Sequence, residues 1–259
     1  MKSTTATALV LLCVGISTSA PGHTQNHPAG TRSVPTVGCF THGQTGTEDT
    51  PGGLPISVRS PPQLAKLMAY YESGGGLGEL GPVGWQCLAW TGSYGGSVWI
   101  GPERSSISDA EVAGPIVFVQ TWALDTSGRL AAASIIARLF RHSARAQSFV
   151  AQVKREGLIP AEDFAASPYP ADRLHYPSDL VVEFSTPAGN RGIGTEKLFD
   201  AGHLLQPSRL AVRGIAALSF DDDRLVIVRV RVPPNLEPVG TEILRLEREC
   251  LMTGATCIN

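Results

Sequence analysis

The sequence predicts an α+β fold, a mostly antiparallel sheet built from hairpins with two to four helices packed on it. Three observations carry that expectation. Strand-like runs come as neighbouring pairs rather than alternating singly with helices, which favours antiparallel pairing over a doubly wound parallel sheet. Residues 210–234, LAVRGIAALSFDDDRLVIVRVRVPP, read as two β arms around an Asp221-Asp222-Asp223 turn. In the second arm Val226, Val228, Val230 and Val232 alternate with Leu225, Ile227, Arg229 and Arg231, the period of a strand with two distinct faces. Residues 129–157, in contrast, carry apolar stripes at helical spacing. Ala132, Ile135, Ile136, Leu139 and Phe140 form one stripe; Ala146, Phe149, Val150 and Val153 form another.

The remaining elements follow in chain order. Residues 23–38 are polar and punctuated by Pro and Gly, as in a terminal tail, and the turn-formers of 41–55 read as loop. Ser60-Pro61-Pro62-Gln63 has the pattern of a capped helix start with proline in the first turn. Leu64, Leu67, Met68 and Tyr71 then fall on one helical face, and SGGGLGELG (73–81) ends the helix. GPIVFVQTWALD (114–125) and DLVVEFSTP (179–187) read as strands, and SPYPADRLHYPS (167–178) as a Pro-punctuated connection. Gly157 and Pro160 stop the helical region, in one piece or two. Pro233-Pro234 stops the sheet, and a last helix carries Val239, Ile243, Leu246 and Cys250 on one face.

The N-terminus reads as a signal peptide over residues 1–22. Lys2 is followed by a nine-residue apolar run, Ala8 to Ile16, and then by small residues suited to cleavage. That run is too short to cross a bilayer, which needs roughly 20 apolar residues. About 237 residues remain (259 − 22), read as a single secreted α+β domain with any subdivision near 158–178. Charge moves from 21 − 23 = −2 to 20 − 23 = −3 when Lys2 is removed. That balance argues against nucleic acid as a partner, and no later apolar run predicts a membrane span. Of five cysteines, Cys39, Cys87, Cys250 and Cys257 stay in the mature chain. An even count in an oxidising compartment predicts two disulfides. Closure entropy favours Cys39–Cys87, contributing about 4 kcal/mol, and Cys250–Cys257, about 2.5 kcal/mol.

The most unusual stretch is GWQCLAWTGSYGGSVWIGP (84–102), which holds three of the four tryptophans. It reads as a β-hairpin with a glycine-rich turn. Trp85, Cys87 and Ala89 would share one face of the first arm; Gln86, Leu88 and Trp90 would share the other. With indoles on both faces, Trp85, Trp90, Tyr94 and Trp99 are the candidate ligand-binding residues, a stacking surface for a sugar or peptide. Ser93 lies in Thr91-Gly92-Ser93-Tyr94-Gly95, which lacks the first glycine of a nucleophile elbow and is followed by a strand instead of a helix. A hydrolase would have to join Ser93, Glu48 or Asp49 with His42 or His203 as base. Asp200 is the only acid near His203, and with no third ligand at useful spacing no metal site is predicted. Asp221 to Asp223 lack the alternation of a calcium loop, and GNRGIGTE (189–196) lacks the spacing of a phosphate loop. No cofactor is expected. Arg138, Arg141, His142 and Arg145 form a cationic cluster on the long helical region, suited to an anionic polymer or an acidic protein.

GWQC (84–87) with its glycine-serine sequel, TSGR (126–129) and PYPADRLHY (168–176) together resemble a group of exported bacterial proteins. The resemblance implies bacterial export, periplasmic or extracellular. It implies no activity and carries over no functional residue. The expected function is therefore that of an exported soluble factor, non-enzymatic, which binds another envelope protein or a cell-wall ligand. The alternative is a hydrolase of envelope peptides or glycans.

Overall fold

The computed structural model describes residues 30–44, 46–104, 106, 111–158, 169–196 and 204–253. Its centre is a nine-stranded sheet. In spatial order this runs β12 (Arg173–Ser178), β13 (Val181–Thr186), β15 (Val212–Ser219), β16 (Arg224–Arg231), β11 (Ile116–Ala123), β9 (Gly95–Gly101), β8 (Gln86–Gly92), β3 (Phe40–Gly43) and β4 (Gly46–Asp49). Every neighbour in it is antiparallel except β3 beside β8. A smaller sheet joins β2 (Thr36–Gly38), β6 (Met68–Glu72) and β7 (Gly78–Pro82). Two short ladders pair β1 (Arg32–Val34) with β5 (Ile56–Val58) and β10 (Glu111–Val112) with β14 (Leu204–Leu205). The helices are α1 (Pro62–Ala65), α2 (Gly128–Leu139), α3 (Ala144–Glu156) and α4 (Glu237–Thr253). The architecture is α+β with a large, mostly antiparallel sheet, as the hairpin pattern predicts.

Alternation along the central strands places two cores back to back. Val117, Val119, Ile215, Val226, Val228 and Val230 face the small sheet and α4, meeting Met68, Tyr71, Leu80, Val239, Ile243 and Leu246. On the opposite face Trp122, Ala216, Leu218, Leu225 and Ile227 meet α2 and α3 through Ile135, Ile136, Leu139, Ala146 and Val150. A third cluster on that face joins Leu88, Trp99, Ile116 and Phe118. The predicted face split of β16 is therefore present, with Arg229 and Arg231 on the α2 side. Both arginines are buried, at 2% and 0% exposure. Arg231 donates to the carbonyl oxygens of Gly114, Gln206 and Val112, each at 2.7 Å, and so ties the β10–β14 ladder to the sheet.

The long helical region is two helices. Ser143 caps α3, its hydroxyl accepting from the Ala146 amide, and Gly157 ends it in the left-handed conformation. The Asp triplet turns β15 into β16 with Asp223 at φ 46°, a conformation that aspartate tolerates better than most residues.

Four expectations are corrected. The helix read over Leu64, Leu67, Met68 and Tyr71 stops at Ala65, and Met68–Glu72 is a strand between β2 and β7. Two ladder partners there outweigh a helical spacing that a short apolar run mimics. Residues 41–55, read as loop, contain the β3–β4 hairpin; residues 32–38, read as tail, contain β1 and β2; residues 173–178, read as connection, form β12. Each is short or polar, and its pairing comes from a partner strand rather than from its own pattern.

The two margins of the large sheet are distinctive. β4 is exposed throughout and carries Glu48 and Asp49. β12 contains Pro177 and shifts register between His175 and Ser178. Cys39 and Cys87 form a disulfide beside the parallel β3–β8 pair, as predicted. Cys250 is disulfide-bonded too, but Cys257 and residues 1–22, read from the sequence as a signal peptide, lie outside the described residues. Among the described residues no helix is long and apolar enough to cross a membrane.

Candidate functional site

The β8–β9 hairpin closes tightly. Gly92 pairs with Gly95, leaving Ser93 and Tyr94 as the turn. Gly95 sits at φ 144°, and a Cβ there would lie 2.0 Å from the Thr121 carbonyl oxygen. The segment after β11 holds the turn from outside. Thr126 donates its hydroxyl to the Ser93 carbonyl at 3.0 Å, and the Ala123 amide donates to the Tyr94 carbonyl at 2.9 Å. Gly128 is needed for this approach, because its Cβ would fall 2.2 Å from the Tyr94 oxygen. The TSGR segment and the glycine-serine turn of the hairpin, distant in sequence, thus build one corner of the sheet.

The four candidate ligand-binding residues separate. Trp99 is wholly buried, stacked on Phe118 at 3.8 Å, with its indole N–H given to Ser97. Trp85 is half-buried and packs towards the core that faces the small sheet. Trp90 and Tyr94 are exposed at 43% and 40% on the opposite face of the hairpin. There Trp90 stacks on His42 of the adjacent strand, centroids 4.5 Å apart and planes 19° from parallel. His42 in turn meets Phe40 edge-on, and Arg104 lies over Phe40. Tyr94 lies against Gly92, two residues along from Trp90. The outcome is a row across β8 and β3 in which Tyr94 and Trp90 are exposed and His42 and Phe40 are half-buried behind them.

On the other face of the same corner lies a polar cleft of about 480 Å³. Thr41, Gln44, Glu48, Thr91, Ser93 and the backbone of Gly74–Gly75 line it. Ser93 and Glu48, two of the hydrolase candidates, therefore share a cleft. His42 does not join them: strand alternation turns it to the opposite face, against Trp90. Asp49 also alternates away from Glu48, and His203 and Asp200 lie outside the described residues. Among the described residues the cleft holds no histidine, and no base stands within hydrogen-bond reach of Ser93.

The cationic cluster does not form a single helix face, because the chain leaves helix between α2 and α3. Arg138 turns inward to Glu196, Arg145 reaches Asp221 across the β15–β16 turn, and His142 meets Tyr176 edge-on. GNRGIGTE is a structural loop, exposed at Gly189, Asn190 and Arg191 and buried from Gly192 to Thr195. Asp172 accepts from the Ile193 amide and the Thr186 hydroxyl, while Thr186 accepts from the Gly194 amide. Among the described residues no cluster of three metal-ligating side chains occurs.

A carboxyl pair lies apart from all of these. Glu79 on β7, 1% exposed, and the half-buried Glu247 on α4 sit against one another. Burial and mutual repulsion push Glu79 well above the usual carboxylate range, and burial pushes Glu247 up to about 7. The Leu80 amide donates to Glu79, and Tyr70, Glu72 and Arg224 are the nearby ionisable groups.

The His42–Trp90 contact was beyond sequence reasoning, since it depends on a parallel pairing between residues 48 positions apart. Comparison of the chain with protein-family models, curated proteins and solved structures finds no match.

Proposed function

We propose that this chain is an exported, non-enzymatic binding factor of the bacterial envelope, and that it holds a cell-wall glycan or glycopeptide at the sheet corner built by β3, β8 and β9. The observation that carries this reading is the Tyr94–Trp90–His42–Phe40 row, with Tyr94 and Trp90 exposed. Aromatic faces held rigid by strand pairing lose little entropy on binding, and they suit the flat apolar faces of sugar rings. His42 backs the Trp90 indole, so its orientation is set before a ligand arrives. The disulfide at Cys39–Cys87 anchors both strands of the row, a linkage compatible with an oxidising compartment.

The hydrolase alternative has one specific observation in its favour, the shared cleft of Ser93 and Glu48. It lacks a base for Ser93 among the described residues, so the binding reading is preferred. The test is a tryptophan-fluorescence titration of the oxidised protein with muropeptides, envelope glycans and short peptides. A saturable shift is expected, lost in Trp90→Ala and weakened in His42→Ala, with near-UV dichroism of the buried Trp99 and Trp122 unchanged. A flat response across the panel, or an unchanged midpoint in Trp90→Ala, overturns the reading. Turnover of any of these compounds that disappears in Ser93→Ala would favour the hydrolase.

A further inference from the structure

The central strands carry a buried charge that the fold does not use. Arg229 on β16 is 2% exposed and lies under α2, between Phe118 on β11 and Gly214 on β15. Its guanidinium sits over the Phe118 ring at 5.6 Å, and its Nε and Nη2 have no hydrogen-bond partner. These two nitrogens form one edge of the guanidinium fork, the edge that receives two oxygens of a carboxylate or phosphate side by side. Among the described residues the carboxylate that acts on it, Glu196, is already engaged by Arg138, and Arg229 makes no ion pair. Arg138, Glu196 and Arg229 leave one positive charge in excess among the described residues. Gln120, 3% exposed and one diagonal step across the ladder, also has its Oε1 without a partner.

Contrast with Arg231 makes the vacancy on Arg229 meaningful. Two residues along the same strand and just as buried, Arg231 fills its fork with three backbone carbonyls. A structural arginine in this protein is satisfied by the protein; Arg229 is not. Burial lowers its pKa to about 10, so it stays charged at neutral pH. An unpaired buried charge costs several kcal/mol, a cost that a bound counter-ion offsets.

We propose that the Nε–Nη2 edge of Arg229 receives a small oxyanion, a carboxylate or phosphate group, between β11, β16 and α2. The site is on the α2 face and is independent of the aromatic row.

The experiment uses the intact oxidised protein with acetate, succinate and inorganic phosphate as probes, against chloride at equal ionic strength. Thermal unfolding and the 15Nε resonance of Arg229 are read together. The expected result is a saturable rise in melting temperature and a downfield Arg229 Nε shift with at least one oxyanion, the carboxylate and phosphate arms telling which group is preferred. Arg229→Lys keeps the charge and loses the paired edge, so half-saturation should weaken by about tenfold or more. Arg229→Met should lose the response while remaining at least as stable as the unliganded parent. An Nε resonance unmoved by every probe, or an equal response in Arg229→Lys, overturns the proposal. So does an Arg229→Met protein that is folded but clearly less stable, since that marks a structural residue.

Discussion

The Glu79–Glu247 pair makes stability fall as pH rises through neutrality. Burial raises Glu247 from an ordinary 4.5 to about 7, and each tenfold change in proton affinity corresponds to about 1.4 kcal/mol. Both carboxyls hold protons more tightly in the folded chain than in the unfolded one. The stability they contribute is fully present below the unfolded value and is lost as pH climbs through the folded value. The window runs from about pH 4.5 to just above 7, and the loss attributable to Glu247 is about 3 kcal/mol. Glu247→Gln removes the carboxyl that burial raises and leaves a neutral amide facing Glu79. The assay is urea denaturation of both proteins across that window. The parent should lose at least about 3 kcal/mol between its ends, while Glu247→Gln should fall less steeply by about that amount and become the more stable protein at the alkaline end. Asp172 is raised and Glu242 lowered by their own surroundings, but the substitution leaves both in place, so the difference between profiles isolates the pair. A flat parent profile, or the same slope in Glu247→Gln, refutes the reasoning.

Two further outcomes are expected. The Cys39–Cys87 bridge closes a loop of 48 residues in sequence separation, so replacing both by alanine should cost about 4 kcal/mol, read as a lower urea midpoint. A cost under about 1 kcal/mol would show that the reduced chain keeps the β3–β8 pairing when unfolded. Arg231→Met leaves three backbone carbonyls without their donor and should cost about 3 kcal/mol, with faster amide exchange in β10 and at Gln206. Unchanged exchange there would mean that the ladder does not depend on Arg231.

The sequence made the framework legible wherever burial and periodicity coincide. The valines of β16, the stripes of α2 and α3 and the Val239–Ile243–Leu246 face of α4 lie where their spacing puts them, because each packs on a continuous apolar layer. What escaped was non-local. Met68–Glu72 carries a helical spacing, yet two ladder partners from elsewhere in the chain determine its conformation. β4 has no buried residue and so no pattern to read. At the candidate site the hairpin and the opposed faces of Trp85 and Trp90 followed from alternation, whereas the company each indole keeps did not. Trp99 gained a buried stacking partner from β11 and Trp90 a half-buried one from β3, and nothing within residues 84–102 distinguishes those fates. Arg229 and Arg231 fall on one face by simple alternation, but only the tertiary structure separates the satisfied arginine from the vacant one.

The margins of the large sheet bear on how copies of this protein meet. Any open sheet ends in backbone donors and acceptors that a second molecule's strand can complete, and a run of such additions is a fibre. At one end the outermost strand carries Glu48 and Asp49, so two molecules approaching through it bring like charges together. At the other, Pro177 has no N–H to offer and the register slips beside it, so an incoming strand would find an interrupted template. Among the described strands the ladder is interrupted chemically at one side and geometrically at the other, which disfavours its extension by a second copy.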